Sequence, residues 1–180
     1  MSAPRILGMC GVARSGKDTV ADYLVAKYGF VKHSFATPIR QFVAHILGTH
    51  PRTLERTKER PIPWLGGKTP RYLMQTVGTE WGRGMIDPDL WVKSCFHRAQ
   101  RDIDAGRCVV ICDVRFANEA DAVHAHGGQV WAMNRPGAGT ASAHASEAVP
   151  LHLADRTISN PGSVAELYAA VDAAMAEVAP

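Results

Sequence analysis

The stretch GVARSGKDTVADYL (residues 11–24) decides the fold. Gly11, four residues, then Gly16 and Lys17 have the spacing of a phosphate-binding loop. A buried-strand pattern, RILGMCGV (5–12), precedes it. After it Val20, Leu24 and Tyr28 repeat at helical spacing over Lys17–Tyr28. Between strand and helix, the backbone N–H groups of Gly11, Val12, Ala13, Arg14, Ser15 and Gly16 are available to phosphate oxygens, and the helix dipole adds positive potential. The glycines permit the turn and the close approach, and Lys17 has the reach for β- and γ-phosphates. One feature departs from the usual pattern: Asp18 follows the lysine where a hydroxyl is expected, and Thr19 supplies that hydroxyl one residue later. Asp18 lies in the first helical turn, where an anion is tolerated. It either binds magnesium through water or caps the helix.

Outward from this loop, apolar runs alternate with helix-period segments. Strands are predicted at 5–12, 30–35, 108–114, 129–133 and 156–159, with helices at 17–28, 39–47, from Thr69 or Pro70 to about Glu80, from Asp87 to about Gly106, at 118–126 and at 163–178. This alternation implies an α/β fold, a five-stranded parallel sheet with helices on both faces. Residues 48–70 hold prolines, glycines and bases and read as a loop or mobile insertion with little to bury. Residues 134–149 read as a Gly/Ala/Ser-rich loop. The whole chain, 1–180, is expected to form one domain, with a substrate-binding insertion over 48–87 and a lid over 134–149.

Composition limits the function. The chain has 180 residues, 46% hydrophobic and 21% charged, with a net charge of +3. That charge is too small to imply nucleic-acid binding by itself. No apolar run reaches the length of a membrane span. Four cysteines without a CxxC pair read as reduced thiols, which fits a cytoplasmic protein. The segment Arg52–Arg71 carries six bases, but Glu55 and Glu59 blunt its field, and no specific nucleic-acid partner is expected. His124 and His126, two apart on a helix, diverge and read as surface residues. Trp131 reads as core, and Trp91 as the neighbour of a base or sugar.

In CVVICDVRFANEADAV (108–123) Asp113 follows an apolar strand, and Arg115, two residues on, shares its side. Ligands of parallel sheets sit at the carboxyl ends of the strands. An acid for a metal shell and an arginine for phosphate would face the contents of the loop there, although a plain Asp113–Arg115 ion pair explains the spacing too. Arg135 opens the predicted lid. Asn160, after the last predicted strand, is either a helix cap or a contact to the nucleotide.

Together GVARSGKDT, FATPIR (35–40), RYLMQTVGTEWGR (71–83), DLWV (89–92), DVRFANE (113–119), HASE (144–147) and ISNPGSVAEL (158–167) resemble the deoxynucleoside monophosphate kinases of the phage-encoded type. The resemblance spans nearly the whole chain. It implies a P-loop kinase that moves the ATP γ-phosphoryl group, with Mg2+, to a deoxynucleoside 5′-monophosphate. It further implies that Arg14, Gly16, Lys17, Asp18 and Thr19 hold ATP and metal, with Asp113 completing the metal set directly or through water. Lys17, Arg14, Asp113 and Arg115 would then be the catalytic groups. Ile39, Arg40, Arg71, Gly78, Thr79 and Trp91 would line the monophosphate site with Asp113, Arg115 and Glu119. Partners are small nucleotides, and a homodimer is compatible with the sequence. Ala117 stands where this family often has proline, and 48–70 is short for a substrate-recognition insertion. A dephospho-coenzyme A kinase shares the loop and last strand and is the nearest alternative. A nucleic-acid-associated ATPase is a more distant one, and a GTPase would want an NKxD motif that NRPG (134–137) does not supply.

Overall fold

In the computed structural model the described residues are 5–138 and 151–178, so most of the expected lid, with His144 and Glu147, lies outside them. The chain divides into two compact units, Met1–Ser34 with Cys95–Pro180, and Phe35–Ser94.

The first unit carries the sheet. Its strands are β1 (Ile6–Cys10), β2 (Val31–His33), β3 (Val109–Val114), β4 (Gln129–Asn134) and β5 (Arg156–Ser159). They pair in parallel in the order β2-β3-β1-β4-β5. All five residues of β1 are buried, which explains its unbroken apolar run: the central strand of a parallel sheet has no wet face. Helix α1 (Lys17–Tyr28) and helix α7 (Val164–Val178) close over Leu7, Met9, Val110, Trp131 and Met133. The opposite face meets α6 (Ala117–Ala125): a methyl group on Gly8 would stand 2.9 Å from Val114 and 3.1 Å from Val123. Helices therefore cover both faces, as the alternation of runs implies.

A polar clasp joins α1 to α7. Tyr23 and Tyr28 donate to the Asp172 carboxylate at 2.8 and 2.7 Å, Lys27 donates at 2.7 Å, and Tyr23 stacks on Tyr168 at 3.8 Å. Hydrogen bonds from Lys27 and Tyr28 hold the Asp172 carboxyl down at about 2. At the start of α7, Ser163 and Glu166 cap each other reciprocally, so the cap is Ser163 and not Asn160.

The second unit holds α2 (Thr37–Ile46), α3 (Pro51–Thr57), α4 (Pro70–Gln75) and a π-helical run, Thr76–Ile86; α5 (Leu90–Asp104) follows in the chain. Here the structure corrects the reading of 48–70 as a stretch that buries little. His50 accepts from the Arg52 N–H, Pro51 opens the helix where its missing N–H costs nothing, and Leu54 is fully buried against Val43 and Ala44. The helix expected to open at Thr69 or Pro70 starts at Pro70 with Thr69 as its cap, and it does not close near Glu80. It widens into the π-helical run, which contains Gly78, Gly82 and Gly84.

Candidate active site

The loop between β1 and α1 has the backbone its glycines predict. Gly11 and Gly16 take φ of +141° and +107°, and Arg14 is held at +63°, a left-handed conformation unusual for a side-chain-bearing residue. A methyl group on Gly11 would fall 2.9 Å from the Met133 carbonyl. Lys17 folds back, its Nζ donating to the carbonyls of Gly11 at 2.7 Å and Val12 at 2.8 Å. Its ammonium thus sits inside the loop, ready to exchange carbonyl oxygens for phosphate oxygens. Arg135 reaches the Arg14 carbonyl at 3.5 Å, which brings it to the same loop. Just before the loop, burial raises the Cys10 thiol to about 11 against the pull of Lys17, so it stays protonated and inert.

Two loop features differ from expectation. Asp18, 79% exposed at its side chain, is engaged by a neighbouring lysine. It pairs at 2.9 Å with Lys32, which also holds Asp22. Burial opposes the Lys32 charge, yet the hydrogen bonds it donates to these two carboxylates outweigh that and raise its pKa. Lys32 was missed by sequence reading; a lysine in the middle of a three-residue strand was the available signal. Asn160, 3% exposed, donates its side-chain amide to the Ser15 carbonyl at 2.9 Å. The amide is therefore committed to the loop backbone.

At the end of β3, the register against β1 shifts between Gly8 and Cys10, which leaves one extra residue on β3 beside Asp113. Such bulges re-aim side chains at sheet rims. Asp113 accepts from Ser34 Oγ at 2.6 Å, and the Ser34 carbonyl accepts from Arg98 at 2.9 Å. Neither Ser34 nor Arg98 was singled out by the sequence. Glu119 is 2% exposed and accepts from the backbone N–H of Arg115 at 2.6 Å and of Phe116 at 3.1 Å. Expected as a lining residue, it is a brace that fixes the main chain of Arg115.

In the second unit Ile39, Gly78 and Trp91 are packed together internally. Trp91, 6% exposed, donates its indole N–H to the Gly78 carbonyl at 2.7 Å, and Ile39 lies 3.1 Å from where a Gly78 methyl would be. A methyl on Gly82 would fall 2.4 Å from the Trp91 ring. Trp91, expected as the neighbour of a base or sugar, holds the Gly78 backbone through its N–H and packs on Gly82. Arg40 and Thr79 are half-buried, and Arg71 donates from Nε to Glu59 at 2.6 Å. His124 pairs with Asp155, and His126 stacks on Phe96, as suits residues outside a metal site.

No group of three or more His, Cys, Asp or Glu able to hold a metal occurs among the described residues. Mg2+ takes one or two carboxylates and completes its shell with water and phosphate. The hard oxygens of Asp18, Thr19 and Asp113 have the right chemistry for it. No described helix is long and apolar enough to cross a membrane.

A phosphate loop at the carboxyl end of the central strand of a parallel sheet is the arrangement of the P-loop α/β proteins, the class to which the small-molecule P-loop kinases belong. The gluconokinase of Sinorhizobium meliloti 1021 shares this fold, with a TM-score of 0.51 at 15% identity over 99% of this chain and 95% of its own. The sequence model of the deoxynucleotide monophosphate kinase family matches residues 5–61 and 68–171. This chain belongs to that family. It is 35% identical over 154 residues to an Acanthamoeba polyphaga mimivirus protein whose name places it among the deoxynucleotide monophosphate kinases, covering 79% of this chain and 80% of the relative. It is 25% identical to the deoxynucleotide monophosphate kinase of Enterobacteria phage T4, over 93% of this chain and 97% of that protein. The T4 alignment runs 233 positions against the 180 residues here, so the phage protein carries insertions that this chain lacks.

Proposed function

We propose that this protein transfers the γ-phosphoryl group of ATP to a deoxynucleoside 5′-monophosphate, releasing ADP and the deoxynucleoside diphosphate. The observation that carries this reading is the family match that runs through both the phosphate loop and DVRFANE. The acceptor needs no general base, since a phosphate monoester with a second pKa near 6 is largely dianionic at neutral pH. Positioning and charge neutralisation are left to do the work.

Each of those tasks has a candidate group. Lys17 moves from the loop carbonyls to the β- and γ-phosphates. Arg14 and Arg135, both at the loop, balance charge on the transferred group. Arg115, its main chain fixed by Glu119, clamps phosphate bidentately, which a lysine could not do. Asp113, set by Ser34, serves with Asp18 and Thr19 as the oxygen set for Mg2+, and the bound ion would neutralise charge on the phosphates. Arg40, Arg71 and Thr79 hold the acceptor, with Ile39, Gly78 and Trp91 shaping the segment that carries them. Residues 48–87 act as the acceptor-binding insertion and 134–149 as a lid that excludes water.

The test is ADP formation from ATP and Mg2+ with each of dGMP, dTMP, dCMP, dAMP, GMP and dephospho-coenzyme A. Acceptor-dependent ADP is expected with at least one deoxynucleotide. ADP formed only with dephospho-coenzyme A would overturn the assignment, as would ADP release raised by DNA and indifferent to every small acceptor.

A further inference from the structure

We infer that Asn160 is a positioning residue for the ATP phosphates, acting through the loop backbone and not by touching the nucleotide. The inference rests on the reading of Gly11–Thr19 as the ATP phosphate loop. Three observations carry it. The Asn160 amide is buried and donates to the Ser15 carbonyl at 2.9 Å, one residue before the glycine that starts α1. The Asn160 backbone is itself tied down, its N–H donating to the Asn134 carbonyl at 2.8 Å at the end of β4. Finally, the fit is tight: a methyl on Gly16 would stand 2.8 Å from Asn160 Nδ2 and 3.4 Å from Leu167.

The consequence follows from peptide geometry. A hydrogen bond to the Ser15 carbonyl fixes the plane of the Ser15–Gly16 peptide, and with it the direction of the Gly16 N–H. That N–H is one of the donors a phosphate must find already aimed, because a site that reorganises on binding loses affinity. Nothing else described holds this peptide as firmly from the side. Ser15 Oγ, in the same buried place, has no hydrogen-bond partner among the described residues. The loop is therefore clamped at its carbonyl by an asparagine just beyond the end of β5.

The decisive experiment measures binding of inorganic tripolyphosphate, ATP and adenosine to the full-length protein and to Asn160→Ala. Affinity for tripolyphosphate and ATP should fall together by roughly three- to tenfold, the worth of one neutral buried hydrogen bond, with adenosine affinity unchanged. A fall for adenosine and ATP with tripolyphosphate untouched would mean that Asn160 contacts the base or sugar, and would overturn the inference. Unchanged affinity for all three would also overturn it. Asn160→Ser, too short to reach the carbonyl, is read by the same measure if the alanine variant does not fold. No acceptor is present, so an error in the assigned acceptor leaves this result intact.

Discussion

Gly16 and Gly82 both lie beneath a side chain that leaves no space for a methyl group, Asn160 in one case and Trp91 in the other. The two seats teach different things. Around Gly16, polar ties dominate: Lys17 on two carbonyls, Asn160 on a third, Arg135 on a fourth. Those bonds orient donors, and most of them can be exchanged for bonds to a ligand. Around Gly82 the contacts are apolar, with a Trp ring filling the place of a side chain and Ile39 wedged on Gly78. That arrangement cannot be exchanged for anything. The loop region holds a fixed backbone whose lysine and arginine can turn to a ligand, and the π-helical region is built to stay put.

The contrast can be broken first at Lys17. Lys17→Met should leave the urea midpoint near that of the wild type while lowering kcat by on the order of 10²–10³, the cost of removing one preorganised electrostatic donor. A large loss of stability with intact turnover would reverse the roles of the two regions. Gly82→Ala tests the other side. Its methyl would meet the Trp91 ring at 2.4 Å, and overpacking of this kind costs about 1–3 kcal/mol, read from chemical unfolding followed by Trp fluorescence. An unchanged midpoint would show that Trp91 shifts freely.

Smaller effects sharpen the picture. Ser15→Ala removes a buried hydroxyl that has no described partner, so folding stability should rise, by about 1 kcal/mol at most. Destabilisation would reveal a partner for that hydroxyl. Asp172→Asn concerns the clasp between α1 and α7. The folded carboxyl lies at about 2 against an ordinary 3.8, so its contribution is present above the ordinary value and lost as pH falls from there towards 2. The wild type should therefore lose stability over that interval faster than Asp172→Asn does. Parallel curves would remove the clasp from the account.

Much of the sheet unit was legible because its signals are local. Continuous apolar runs mark β1, β3 and β4, and a glycine spacing marks the loop between β1 and α1. The second unit was harder to read because its decisive contacts are long-range and few. One leucine, Leu54, turns a segment full of prolines and bases into a docked helix, and the prolines that suggested a loop open helices instead. Periodicity could not foresee that the helix after Thr69 widens, nor that Trp91 is consumed by the backbone of Gly78. Among the expected site residues, Lys17 opens α1, and Asp113 and Arg115 lie at the end of β3, positions that follow from the alternation of strands and helices. Glu119 and Asn160 changed meaning because burial, which no single sequence displays, turned polar candidates into braces.

The position of β1 also governs when the protein can fold. It is the first strand to be synthesised, yet its neighbours are β3 and β4, with Ile6 paired to Val109 and Leu7 to Gln129. At roughly 5–20 residues per second, a nascent chain carries this apolar strand with both edges unpaired for about 5–20 s before β3 emerges. One core cluster of the 35–94 unit is assembled from residues 43–77, so every segment that cluster needs has left the ribosome during that wait. Synthesis therefore delivers that cluster ready to pack while the strand that leads into the phosphate loop is still waiting for its neighbours.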